Sequence, residues 1–191
     1  TCALPIYVDR LYVSRKMGGR GLRQVFSAYQ RAVVNLAAYI RHRDEPLVEY
    51  IRIAESNINA RSKTISGKAA VIKEKLDVPQ EIKDPCNTSK EKILNEKTAI
   101  RKACADKIRH NWENKEMHGQ FPKKLKEPGI SESVSFRWLN KGIVKGETEA
   151  LITAAQDQAL RTKYYEKKIL KQHSDSRCRI CRVKDETVDH I

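Results

Sequence analysis

A run of apolar residues at helical spacing between positions 22 and 40 constrains the fold of this chain most strongly. Its members are Leu22, Val25, Phe26, Tyr29, Val33, Leu36, Ala37 and Ile40. Residues spaced by three and four share one side of a helix, so the run predicts a long helix whose apolar face contacts a core. Glycine and proline are scarce, at eight and six residues, and this composition favours helix elsewhere in the chain. We therefore predict a mostly α fold.

Two further helices are predicted between positions 46 and 76. Pro46 can occupy the first position of a helix, where its missing N–H is not needed. The apolar face of that helix is predicted to contain Leu47, Tyr50, Ile51, Ala54 and Ile58. Residues 62–76 continue more weakly, with Ile65, Ala69, Ile72 and Leu76 spaced by threes and fours.

The second half of the chain has two more helical patterns. Thr88 and Glu91 form a capping box, in which each side chain bonds the backbone N–H of the other residue. The helix that follows is predicted to bury Ile93, Ile100, Cys104, Ile108 and Trp112. The last helix is predicted over 146–170, and its inward residues are expected to be Leu151, Ile152, Ala155, Ala159, Leu160, Tyr164 and Ile169.

Shorter segments complete the predicted organisation. Residues 6–13 are rich in β-branched and aromatic types, so a short strand is predicted there. Residues 121–129 are predicted to form a basic loop. Phe136, Trp138 and Leu139 are predicted to form one packed helical turn. His110 and His118 are expected to be surface or packing residues. We divide the chain into a helical segment over 1–76, a linker over 77–87, a second helical segment over 88–172 and a cysteine-containing tail over 173–191.

The charge of the chain points to a polyanionic partner. It contains 38 Lys and Arg against 24 Asp and Glu, a formal net charge of +14. The segment between positions 161 and 184 contains nine basic residues and only two acidic ones, and Tyr164 and Tyr165 lie within it. Lysines and arginines neutralise phosphates, and tyrosines stack on unpaired bases. The alternative is a solvated, lysine-rich helix face.

Five cysteines at irregular spacing, without a secretory signal or a long apolar run, predict a reducing intracellular location, nuclear or cytoplasmic, with no membrane contact. Cys178 and Cys181 form a C-x2-C pair, and His190 follows nine residues after the second cysteine. This spacing is typical of a zinc knuckle, whose site takes four ligands. We expect a fourth ligand beyond Ile191 in a longer protein. His173 is a less favoured substitute, and a redox role for the pair is disfavoured.

The segment SRKMGGRG over 14–21 offers a second basic site. Its glycines allow backbone amides to approach an anion, and Arg15, Lys16 and Arg20 would contact a phosphate. The alternative is a turn with solvated charges that precedes the first long helix. The predicted nucleic-acid-binding residues are these three together with Arg161, Lys163, Lys167, Lys168 and Lys171. No motif for two-metal phosphoryl transfer, zinc-protease or serine-hydrolase chemistry occurs, so no enzymatic activity is expected of this segment.

Four segments resemble one known family. DRLYVSRKMGGRGL (9–22), FRWLNKG (136–142), ETEALITAAQDQALRTKYY (147–165) and CRIC…KDETVDHI (178–191) resemble the region after the polymerase domain of site-specific non-LTR retrotransposon reverse transcriptases. The resemblance implies a helical thumb-and-linker bundle that precedes a CCHC knuckle and binds template RNA and target DNA. Polymerase and nuclease domains of the same polyprotein would be its partners. The paired aspartates of the polymerase and the nuclease signature are absent from this sequence. The main rival is a structural helical module whose positive charge serves only solubility.

Overall fold

The computed structural model describes residues 8–58, 63–80, 88–172 and 175–191. Within them the fold is mostly α, as predicted, and no strand forms. The helices are α1 (Val8–Tyr12), α2 (Val25–His42), α3 (Pro46–Ser56), α4 (Ile65–Lys75), α5 (Ser89–Glu113), α6 (Gln120–Lys124), α7 (Glu132–Ser135), α8 (Arg137–Lys141), α9 (Gly146–Gln156) and α10 (Lys163–Tyr165). A π-helical turn, Glu166–Leu170, follows α10, and 3-10 turns lie at Arg15–Met17 and Val188–His190. None of the described helices combines the length and apolar character that crossing a bilayer requires.

The chain forms two compact units, and one of them is discontinuous in sequence. Residues Thr1–Leu22 join Ile108–Ile191 in one unit, which we call the terminal unit. Residues Arg23–Lys107 form the other, which we call the central unit. This division differs from the predicted segments 1–76, 77–87, 88–172 and 173–191. The predicted linker lies partly outside the described residues, and its residue Val78 is part of a core.

The core of the central unit lies where α2 packs on α4 and α5. Its buried members are Val34, Ala37, Ala69, Ile72, Val78, Ile100 and Cys104. The prediction that Cys104 belongs to a core is confirmed, and burial raises the pKa of its thiol. The capping box is also confirmed, because Thr88 Oγ1 accepts a hydrogen bond from the Glu91 backbone N–H at 3.3 Å.

The predicted inward faces of α2 and α3 are wrong in part. Val25 is 84% exposed and Tyr50 is 72% exposed, and most of the large residues of both stripes are exposed as well. The predicted Ala37 and Ile40 of α2 are buried, but the core also takes Val34 and Ala38, which were not predicted, and α3 contributes only Val48. The buried face of α2 is therefore displaced around the helix from the predicted face, and the large side chains in the first turns of the predicted stripe are left outside.

A polar cluster lies at the edge of the same core. Glu96 accepts hydrogen bonds from Lys73 Nζ at 2.6 Å and from Arg41 Nη1 at 3.0 Å, and His42 Nε2 lies 2.9 Å from it. Burial alone would raise the pKa of Glu96, but the bonds from Lys73 and His42 outweigh it and the pKa is lowered. This carboxylate is therefore ionised and paired in the folded unit.

The terminal unit is built on two smaller apolar clusters. One contains Val13, Ile108, Trp112, Leu125, Phe136 and Leu139, and the other contains Ala154, Ala159 and Tyr165. The predicted packed turn around Phe136 and Leu139 is confirmed, with Trp138 partly buried against it. Neither histidine lies in a metal cluster: His110 is exposed, and His118 Nδ1 lies 2.6 Å from the carbonyl oxygen of Asp157.

Three local predictions in the terminal unit are wrong. Positions 8–12 form the helix α1 instead of a strand, while 6 and 7 lie outside the described residues. The predicted basic loop starts with a helix, α6, in which Pro122 is buried. The last helix ends at Gln156, because Gln158 adopts a left-handed conformation with φ 55° and the chain turns before α10.

The inward face of α9 is polar, and this also departs from the prediction. Its buried residues are Glu149, Thr153 and Ala154, whereas Leu151 is exposed. The reason is the arginine that α1 buries beside it. Arg10 Nη1 donates to Asp157 Oδ1 at 2.8 Å and to the Thr153 carbonyl oxygen at 3.0 Å. Both charged side chains of this pair are fully buried.

Candidate metal centre and the basic surface beside it

A tight turn over 176–186 carries both cysteines of the candidate metal centre. The Cys178 backbone N–H donates to the Lys184 carbonyl at 2.8 Å, and the Glu186 N–H donates to the Ser176 carbonyl at 2.8 Å. The two arms form an isolated antiparallel bridge at Arg177 and Asp185. This pairing folds the chain back on itself, so that the side chains of Cys178 and Cys181 lie close together.

The three predicted metal-binding residues come together in the structure. Ligand atoms of Cys178, Cys181 and His190 all lie within 4.8 Å of one another. The 3-10 turn Val188–His190 places His190 Nε2 at 3.0 Å from Cys181 Sγ. Two thiols and an imidazole form a donor set that suits a soft or borderline divalent metal, so the cluster could hold a metal ion.

The electrostatics of the turn favour the thiolate that metal binding requires. Hydrogen bonds from the backbone amides of Lys184 and Val183, with a further one from His190, lower the pKa of Cys181 to about 6. The Ile180 N–H also points at Cys178 Sγ, at 3.4 Å. Because metals bind thiolates, amides aimed at both sulfur atoms prepare the site for a cation.

A fourth ligand was expected beyond Ile191, with His173 as a substitute. Residue 173 lies outside the described residues. Within the part of the chain that the structure describes, no other His, Cys, Asp or Glu joins the cluster. Cys178 is buried whereas Cys181 is exposed, so the three residues form a half-buried site.

Glu186 anchors this turn, and the sequence reasoning missed it. Its carboxylate accepts hydrogen bonds from the Arg179 side chain, at 2.6 Å for the closest, and from the backbone N–H groups of Arg179 and Lys163. The hydrogen bond from the Arg179 side chain is the main reason that the pKa of Glu186 is lowered to about 2. Because Lys163 begins α10, this carboxylate connects the turn to the basic segment before it.

The anchored turn brings cations together around one cavity. The cavity measures about 470 Å³ and is lined by Lys163, Asp175, Arg177, Cys178, Arg179 and Arg182. Of this set, Lys163 was predicted to bind nucleic acid and Cys178 to bind metal, while the three arginines entered the prediction through the charge count alone. The sequence did contain a signal for these arginines, because they lie directly beside the two cysteines in the run Arg-Cys-Arg-Ile-Cys-Arg over 177–182.

The other predicted residues of the basic stretch do not line this cavity, and they differ in whether they have a partner in the protein. Arg161 pairs with Glu166 at 2.7 Å, and Lys167 Nζ lies 3.4 Å from Ser176 Oγ. Lys168 and Lys171 are exposed and form no ion pair with any described residue. Tyr165 is buried in the apolar cluster, so it is not available for stacking on a base.

The glycine-rich turn forms a separate cluster in which the arginines contact a carboxylate. Arg15 Nη2 donates to Glu149 Oε2 at 2.8 Å, and Arg20 also pairs with this nearly buried carboxylate. The hydrogen bond from Arg15 is the largest reason that the pKa of Glu149 is lowered. Lys16 is exposed. The arginines predicted to bind phosphate therefore already have an anionic partner in the protein.

The glycines of this turn are required by packing. Gly18 has φ 87°, and a Cβ there would lie 2.2 Å from the Phe136 ring. A Cβ at Gly19 would lie 2.0 Å from the Val13 carbonyl oxygen. Since both contacts lie inside the terminal unit, close packing explains the glycines without an anion.

Comparisons with family models, with curated proteins and with solved structures found no match to this chain.

Proposed function

We propose that this chain is a non-catalytic nucleic-acid-binding segment whose C-terminal turn is held by zinc. One observation carries the proposal: the turn that converges Cys178, Cys181 and His190 also places Lys163 and three arginines around a cavity of about 470 Å³. The same turn thus carries three candidate metal ligands and the cations that could surround a phosphate group.

The chemistry divides between the metal and the cations. Zinc, when bound, would cross-link the two ends of the turn through two thiolates and one imidazole. Arg177 and Arg182 would contact phosphates, and their planar guanidinium groups suit bidentate bonds to phosphate oxygens. Lys168 and Lys171 would extend the contact along the same strand of nucleic acid.

We place the segment in a non-LTR retrotransposon reverse transcriptase, on the residues that resemble that family. Template RNA and target DNA would then be its ligands, inside the nucleus or cytoplasm. The polymerase and nuclease domains of the same polyprotein would be its protein partners. The fold supports this placement only in being mostly helical with a cysteine–histidine cluster near residue 191.

A second candidate function is a helical module that scaffolds neighbouring protein domains. The observation that favours it is the apolar surface of the central unit, where α2 and α3 expose large side chains. They are Val25, Phe26, Tyr29, Leu36, Leu47, Tyr50 and Ile53. In that case the positive charge serves solubility, and binding of nucleic acid is absent.

The experiment that separates the two is fluorescence anisotropy of labelled single-stranded RNA and duplex DNA with the full chain and zinc. Binding through phosphates predicts that log K falls with log salt by about 0.7 per phosphate on a single strand and about 0.9 on a duplex. Lys167→Glu with Lys168→Glu should weaken binding at every salt concentration. A slope near zero, with no effect of that double variant, would support the scaffold and remove the nucleic-acid proposal.

A further inference from the structure

A second cavity lined by arginines lies in the central unit, where no binding residue was predicted. It measures about 480 Å³, and its lining consists of Arg23, Ala28, Arg31, Ala32, Asn35 and Arg101. These residues come from α2, from the residues just before it, and from α5. Among the described residues, the lining contains three cations and no carboxylate.

The arginines of the central unit fall into two groups. Arg41 pairs with Glu96 at 3.0 Å, Arg52 pairs with Glu49 at 2.7 Å, and Arg43 lies over the Tyr39 ring. The side chains of Arg23, Arg31 and Arg101 form no ion pair or hydrogen bond with any described residue. Among the arginines that the structure describes in this unit, those without a protein partner are therefore the ones that surround the cavity.

Three guanidinium groups around one cavity repel each other unless an anion lies between them. Phosphate is the anion whose geometry suits arginine best, because the planar fork donates two parallel hydrogen bonds. The alanines at 28 and 32 leave room beside the helix.

The extent of the cavity favours a chain of phosphates over a single compact anion. Its lining on α2 extends from Ala28 to Asn35, about 10 Å along the helix axis at 1.5 Å per residue. A cavity of this size and length exceeds one phosphate group. Consecutive phosphodiester groups of one strand would place a negative charge near each arginine.

We propose that this cavity binds the phosphodiester backbone of single-stranded nucleic acid, as a second contact site separate from the C-terminal turn. The inference rests on the proposed function for the class of ligand, but it uses none of the same residues. The central unit would then hold a strand through charge, whether or not the cysteine–histidine cluster has its metal.

The test compares three variants of the full chain, each carrying three charge-removing substitutions. Arg23→Gln, Arg31→Gln and Arg101→Gln remove the cations of the cavity. Lys68→Gln, Lys75→Gln and Lys97→Gln are the matched control, because these exposed lysines belong to the same unit and do not line the cavity. Lys163→Gln, Arg177→Gln and Arg182→Gln report on the C-terminal turn. Binding of a labelled uridine oligonucleotide is followed by anisotropy over a range of salt, and circular dichroism checks that each variant is folded.

The inference predicts that the arginine variant loses at least about tenfold in affinity and that its log–log salt slope falls by about 2, or 0.7 for each lost contact. The lysine control should lose less affinity and keep more of its slope. Equal behaviour of the arginine variant and the lysine control would overturn the inference. If only the C-terminal variant weakens binding, this inference fails and the proposed function stands. If only the variant at Arg23, Arg31 and Arg101 weakens binding, this inference stands and the proposed role of the C-terminal turn fails.

Discussion

The turns at 15–20 and 177–182 are both rich in basic residues, and the fold uses these residues differently. Arg15 and Arg20 both contact Glu149, and the glycines between them pack against Phe136 and Val13. In the second turn only Arg179 contacts a buried carboxylate, that of Glu186. Arg177 pairs at 3.2 Å with Asp175, whose carboxylate is exposed, and it lines a cavity together with Arg182 and Lys163. The difference shows that basic residues of the same kind are paired inside one turn and left on the surface of the other according to which carboxylates the fold brings to them.

The first turn is also held by a buried pair of charges. Arg10 and Asp157 are both fully buried and 2.8 Å apart, and the Arg10 guanidinium also lies 4.9 Å from the centre of the Trp112 ring. Arg10 Nε donates to the carbonyl oxygen of Gly18 at 2.9 Å. The first turn is thus tied to the interior of its unit by a pair that cannot reach solvent.

The largest effect is expected from breaking this pair. Arg10→Met should destabilise the chain by about 3–5 kcal/mol, because it leaves Asp157 buried without its counter-charge. Arg182→Met changes a cation of the second turn that is exposed, and it should stay within about 0.5 kcal/mol of the wild type. Urea unfolding measures both.

The double variant Arg10→Met with Asp157→Asn should recover part of the lost stability, since no unpaired charge remains. If Arg10→Met and Arg182→Met cost the same, the distinction between the two turns in stability does not hold.

The next largest effect is expected on metal binding, for which the described residues offer the cysteine–histidine cluster of the second turn. Cys181→Ser should weaken binding of Co²⁺, a spectroscopic substitute for zinc, by roughly 3 kcal/mol. This is one share of the roughly 10–16 kcal/mol that a complete structural site provides. Cys104→Ser is the matched control, because Cys104 is buried in the central unit. Thiolate-to-cobalt absorption that survives Cys181→Ser, or is lost equally in both variants, would argue against the cluster as the metal centre.

A smaller effect is expected from Glu149→Gln. The substitution removes the charge that Arg15 and Arg20 share, and the loss of charge-assisted hydrogen bonds in a nearly buried place costs about 1–3 kcal/mol at neutral pH. Thermal unfolding of the variant and of the wild type measures it. The same exchange at the exposed Glu147 of α9 serves as the control.

The pH dependence of that difference has a defined sign. The pKa of Glu149 is lowered from 4.5, so the stability it contributes is fully present above pH 4.5 and is lost as the pH falls through the lower folded pKa. The gap between wild type and Glu149→Gln should therefore close in acid. A gap that stays constant down to the acid limit of folding would show that the carboxylate charge is not what Arg15 and Arg20 need.

The short-range features of this chain were predictable and the long-range ones were not. The convergence of Cys178, Cys181 and His190 follows from local spacing, and so do the capping box at Thr88 and the mostly helical fold. The partner of Arg15 lies 134 positions away, and no local pattern reveals it. The face of α2 that is buried also depends on how closely α4 approaches, which periodicity does not specify. The buried Asp157, directly after α9, likewise has its partner Arg10 at a distance of 147 positions.

The central claim is that the second basic turn contacts phosphates while the first one serves the fold. The most direct measurement is the salt dependence of single-stranded RNA binding by two zinc-loaded, folded variants, Arg15→Gln with Arg20→Gln and Arg177→Gln with Arg182→Gln. The account predicts that the log–log slope falls by about 1.4 in the second variant, at 0.7 per lost contact, and is unchanged in the first. Equal slopes in the two variants, or a loss confined to the first, would contradict it.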